Sequence, residues 1–149
     1  MPRLTTLFQN QLVFHISGAT HNSRWREWED RLQRETLIKK ITVHAFVLMS
    51  THFHLLVSVK SRDDLSFFFN SSRQLINNFE QYKNSYRYIY RNPLEAGLSL
   101  SAESYSFSTL PALLGKKYSK IPVVDHMGLI VNPLKILDWI NTTQVIETK

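Results

Sequence analysis

"HAFVLMSTHFHLLVSV", residues 44–59, is a nearly unbroken apolar run interrupted at Ser50–Thr51 and carrying His52 and His54 one residue apart. It reads as two strands, 41–49 and 52–59, joined at Ser50–Thr51 as a hairpin. In the first strand both alternating sets of side chains are largely apolar, the pattern of a strand covered by helices on both faces. In the second, alternation sends residues i and i+2 to the same face, so the two imidazoles point the same way.

Outward from this hairpin the pattern continues on both sides. Residues 11–20, "QLVFHISGAT", alternate as a first strand. Residues 24–40 predict a helix with Trp25, Trp28 and Leu32 on one face, Glu27, Glu29 and Asp30 early and Lys39–Lys40 at its end, the distribution of charge that suits the helix dipole. After the hairpin, "LSFFFNSSRQLINNFEQ" (65–81) places Leu65, Phe68, Phe69, Ser72, Leu75, Ile76 and Phe79 at helical spacing, predicting a long helix capped by Asp63 or Asp64. A shorter helix is expected over 82–91, and a loop-rich tail from about Ser99 carries Pro111, Pro122 and Pro133 and a last helix near 133–141. The order β-α-β-β-α-α implies an α+β, ferredoxin-like fold: a mostly antiparallel sheet of about four to five strands with helices packed on it.

Composition sets the outer limits. The chain has 149 residues, 43% hydrophobic and 20% charged, so it is expected to be one globular domain over 1–149, neither disordered nor fibrous. It contains no cysteine, which excludes disulfides and thiolate metal sites and leaves His, carboxylate, amide or water as ligands for any ion. Neither a membrane span nor a signal peptide is visible, and a cytoplasmic location is the expectation. The formal charge of +6 favours a polyanionic partner, though a solvated basic surface explains it as well.

The histidine pair admits three explanations at this point. It is a pair of satisfied structural histidines, a zinc site lacking its remaining ligands in local sequence, or a platform for an open divalent ion such as Mg²⁺ or Mn²⁺ completed by an amide or carboxylate and by substrate phosphate. A partner stretch is "YKNSYRYIYRNPLEAGL", residues 82–98. On a helical wheel Tyr82, Tyr86, Ile89 and Tyr90 cluster toward a core, whereas Tyr88 points away and shares its side with Asn92, four residues on. Arg87 and Arg91 flank Tyr88 as phosphate-binding groups would. The plainer alternative is an exposed tyrosine and an amide that ends the helix before Pro93.

Two blocks carry a family resemblance. "AFVLMSTHFHLLV" (45–57) resembles the AYVLMPNHVHLLV-type signature of the REP-associated tyrosine transposases, the single-tyrosine branch of the His–hydrophobic–His nucleases. "YRYIYRNPLEAGL" (86–98) resembles their YRYIxxNPVxAGL block, and "ESYSFST" (103–109) is similar to the short stretch that follows. Thr51 stands where the family commonly has Asn; its hydroxyl is able to orient a ligand or shape the turn. The resemblance implies that His52 and His54 bind a divalent metal, Mg²⁺ or Mn²⁺, with Asn92 as a ligand or close neighbour, and that Tyr88 is the nucleophile. It also implies single-stranded DNA beside a small hairpin as substrate, cut through a 5′-phosphotyrosine. A relative that binds hairpin DNA without cutting it is the alternative, and the sequence leaves monomer and homodimer both open.

Overall fold

Four strands form one antiparallel sheet in the order β2-β3-β1-β4 in a computed structural model that describes residues 7–20, 24–38, 41–68, 70–126 and 128–143. They are β1 (Leu12–Ala19), β2 (Thr42–Leu48), β3 (His52–Val59) and β4 (Ser72–Ile76). β1 and β3 pair along their whole length, from Leu12 opposite Val59 to Ala19 opposite His52. This α+β arrangement is the expected fold class, and the histidine-bearing strand lies in the interior of the sheet. Helix α1 (Trp25–Leu37) crosses between β1 and β2. Its first turn is closed by Glu27, whose carboxylate accepts the Arg24 backbone N–H at 2.7 Å, one of the donors a helix start leaves unpaired. The expectation that Lys39–Lys40 ends this helix falls outside the described residues.

Alternation along the strands divides the interior in two. Phe14, Ile16, Val43, Phe46, Phe53, Leu55 and Val57 pack with Trp28 and Leu32 of α1. Val13, Ala45, Val47 and Leu56 pack with Tyr82, Tyr86, Ile89 and Tyr90 of α2 (Phe79–Glu95). Each fully buried large side chain contributes about 1.5–3 kcal/mol, so both faces of β2 and β3 hold helices firmly. The expectation of a sheet covered on both sides is met.

The expected long helix over 65–81 is not there. A 3₁₀ segment spans Arg62–Phe68, β4 follows, and α2 begins only at Phe79 behind the N-cap Asn78, whose side chain accepts from the Gln81 N–H. The apparent stripe is split between the two cores: Leu65 and Phe68 go to the α1 side, Ile76 and Phe79 to the α2 side, and Leu75 is exposed. Phe69 lies outside the described residues. Tertiary pairing with β1, from Val13↔Ile76 to Ser17↔Ser72, overrides the local helical pattern because the chain gains a ladder of backbone hydrogen bonds there.

Helix α2 is longer than 82–91. It runs through Pro93 and stops at a Schellman closure in which Gly97, at φ 74°, donates to Leu94 and Leu98 donates to Pro93. Positive φ is where glycine is favoured, so "AGL" rather than "NP" ends the helix, and Asn92 is an internal residue rather than its stop. The tail adds α3 (Leu110–Leu113) and α4 (Pro133–Asn141), the latter over the expected range. No helix of the described residues is long and apolar enough to cross a membrane.

Candidate active site

His52 and His54 project from β3 toward α2, with ring centroids 5.1 Å apart and planes perpendicular. Each ring is held through Nδ1. The Thr51 hydroxyl lies 3.1 Å from His52 Nδ1, and His15 Nε2 lies 3.1 Å from His54 Nδ1. His15 comes from β1 two residues before Ser17, the cross-strand partner of His54, and sits on the same face of the sheet. Burial, followed by the nearby His15 and His52 rings, pushes the His54 pKa down to about 4, and burial also lowers that of His15. Either ring can be the N–H donor of their bond, according to its tautomer. With Nδ1–H of His52 and His54 donating, Nε2 is the atom each ring has to offer, the way an outer hydrogen bond orients a metal-binding histidine.

The tyrosines of α2 fall into two environments. Tyr82, Tyr86 and Tyr90 are 1% exposed, and burial raises the phenol pKa of all three. Tyr88 is 53% exposed. Its ring stands perpendicular to His54 at 5.2 Å between centroids and tilted against His15 at 5.8 Å. The structure thus brings Tyr88 against His54 across 34 residues of chain (88 minus 54). On its other side Tyr88 joins Asn92, Asn84, Arg87 and Arg91 in lining a cleft of about 670 Å³. Asn92, half-buried, follows Tyr88 by one helical turn.

The two arginines expected to contact phosphate line the cleft and are also bonded to the end of α4. Arg91 is buried; its guanidinium donates to Glu95 at 2.6 Å, to the Ile140 carbonyl at 2.8 Å and to the Thr143 hydroxyl at 3.1 Å. Arg87 donates to the Trp139 carbonyl at 2.8 Å and to the Thr142 carbonyl, with its guanidinium 5.9 Å from the Trp139 ring centroid. These are the carbonyls that the end of α4 leaves without helical partners, and cations satisfy them well. Nothing in the local sequence of α2 signals a contact about fifty residues away.

Among the described residues no three His, Cys, Asp or Glu side chains gather as a metal site. His15 adds no third arm, because its Nε2 is directed at His54. The donor set is therefore not that of a closed zinc centre. Two imidazoles on one face of a strand, each with one ring nitrogen already bonded, suit an open cation completed by water or phosphate oxygen. His15 is the residue that sequence reasoning missed; its one signal was a histidine on the polar side of an alternating strand, Phe14 and Ile16 pointing the other way.

The fold is shared with a solved structure described as a REP-associated tyrosine transposase bound to a REP hairpin, at a TM-score of 0.55 and 17% identity over 73% of this chain and 83% of that one. At this identity the likeness carries the fold. No family model matches the chain, and no curated protein matches it.

Proposed function

We propose that this protein is a metal-dependent tyrosine transposase or nickase acting on single-stranded DNA beside a hairpin. The observation that carries the proposal is the placement of Tyr88 against His54 and His15, while the other three tyrosines of α2 are sealed in the core. The shared fold with a hairpin-bound tyrosine transposase and the motif resemblance support the same class of substrate.

His52 and His54 would hold a divalent ion, Mg²⁺ or Mn²⁺, with Asn92 close by. Such an ion supplies Lewis-acid polarisation of a phosphate and favours the phenolate. Thr51 and His15 fix the two rings, so the site is organised before substrate arrives. Tyr88 supplies the nucleophile. Its Oη attacks the scissile phosphorus, the bond to O3′ breaks, the phenol gives up its proton and O3′ gains one, leaving a 5′-phosphotyrosine and a free 3′-OH. The phosphodiester energy is retained in the protein–DNA bond. The 3′-OH of another strand then reverses the step and joins DNA without a nucleotide cofactor.

The test is a denaturing gel with Mn²⁺ and a hairpin substrate labelled at either end. The 3′-labelled fragment should migrate with the protein and the 5′-labelled fragment as a shorter free strand. A second reading, hairpin binding without cleavage, is favoured by one observation: the arginines flanking Tyr88 are held by the end of α4, and Arg91 is also paired with Glu95, so neither guanidinium is free to turn fully toward a phosphate at Tyr88. Hairpin binding with no adduct in the wild-type protein would establish that reading instead.

A further inference from the structure

A second concave surface lies beside the turn that leads into His52. Met49 and Ser50 line it together with Trp25, Tyr105, Phe107 and Leu98, and Arg24 and Arg26 complete its walls around a volume of about 590 Å³. That volume falls within the roughly 300–1,000 Å³ of small-ligand sites. None of its lining residues is acidic.

The aromatic walls are set in place. Trp25 stacks on Phe46 at 5.6 Å and lies 6.1 Å from Phe107, which in turn meets Tyr105 edge-on at 5.9 Å. The Tyr105 hydroxyl donates to the Leu48 carbonyl at 2.7 Å. Phe107 is nevertheless 47% exposed and Leu98 52%. Arg24 and Arg26 are exposed, and the ion pairs found among the described residues, Arg91–Glu95 and Lys120–Asp30, include neither.

Exposed guanidiniums beside exposed rings suit an occupant that is anionic and flat at once. Unpaired nucleic acid has both properties: bases stack on aromatic side chains while the backbone follows positive charge. The groove is also rigidly tied to the imidazoles. Thr20 holds the turn by donating its hydroxyl to the Ser50 carbonyl at 2.9 Å and its N–H to the Thr51 carbonyl at 3.1 Å, and Met49 N–H donates to the His52 carbonyl at 2.9 Å.

We propose that this groove seats the unpaired DNA that extends from a hairpin, its bases on Trp25 and Phe107 and its phosphates on Arg24 and Arg26. The proposal rests on the DNA-processing function above and adds which part of the substrate is bound beside the turn. It is tested on the full chain by fluorescence anisotropy, comparing one DNA hairpin with and without an unpaired extension of about six nucleotides. In wild-type protein the extension should tighten binding about tenfold or more, and an abasic extension should recover little of that gain. Arg24→Gln/Arg26→Gln, at exposed positions, and separately Phe107→Ala should each abolish most of the gain while leaving affinity for the bare hairpin unchanged. The salt dependence for extended DNA should flatten in the double arginine variant only. Equal wild-type affinity with and without the extension, full gain with the abasic one, or full gain in the variants would overturn the groove assignment while hairpin binding stands. Failure to bind either DNA would overturn both this assignment and the function on which it rests.

Discussion

Toward α1 the sheet presents Phe14, Ile16, Phe46, Phe53 and Leu55, whereas toward α2 the same strands present His15, His44, His52, His54 and Ser58. The first face is hydrocarbon and aromatic ring. On the second, buried histidines are paired, although the Tyr86 hydroxyl has no partner among the described residues: His44 lies between the Tyr82 hydroxyl at 2.8 Å and the Ser58 hydroxyl at 2.9 Å, and His15 meets His54. Unpaired burial of such groups costs about 1–3 kcal/mol each, so the α2 face depends on specific partners in a way the α1 face does not. Both faces hold helices to the sheet, and the second also carries groups able to do chemistry.

The contrast breaks most sharply at Tyr88. Tyr88→Phe should eliminate the covalent DNA adduct on a denaturing gel and leave the melting temperature almost unchanged, because the hydroxyl belongs to a half-exposed side chain. Tyr86→Phe and Tyr90→Phe should keep the adduct; persistence of adduct in Tyr88→Phe would remove the nucleophile assignment. On the opposite face Phe46→Ala should do the reverse. Both Trp25 and Trp28 lie against Phe46, at 5.6 and 5.4 Å, so urea unfolding should show a loss of about 3–5 kcal/mol. A loss below about 1 kcal/mol would mean that Phe46 does not anchor α1 to the sheet.

Acid should find the polar face first. Burial, and next the neighbouring His126, pushes the His44 pKa down to about 3 from 6.5. The folded state resists a proton that the unfolded chain accepts, so this group leaves stability unaffected above pH 6.5 and lowers it progressively as pH falls toward 3. At about 1.4 kcal/mol per unit, His44 alone should remove about 3 kcal/mol between pH 6.5 and 4. Urea melts at the two pH values test this, and a His44→Gln variant should show a shallower slope over the same window. The smallest expected effect concerns His15. His15→Phe keeps a ring in place but removes the bond to His54 Nδ1, and calorimetry should show Mn²⁺ affinity weakened about tenfold. Unchanged affinity would separate His15 from the ion site.

Elements with one partner face were legible in sequence, and elements defined by distant pairing were not. The phase of α2 follows from its own spacing, which separates Tyr88 from Tyr82, Tyr86 and Tyr90. The histidine hairpin followed from alternation. β4 is not legible locally because Leu65, Phe68, Ile76 and Phe79 fit a helix while serving two cores, a division that exists only once β1 is beside it. His15 and the arginine contacts were hidden for the same reason: the first depends on a β1–β3 diagonal 39 residues apart, and the second on carbonyls about fifty residues downstream.

The contacts of Arg87 and Arg91 with the end of α4 make that helix terminus an internal competitor. Its carbonyl oxygens present to the guanidiniums the partial negative charge that a phosphate would otherwise bring. Any polyanion that reaches these arginines therefore does so at the expense of α4's anchorage, and by linkage whatever secures α4 weakens their hold on the polyanion by the same free energy.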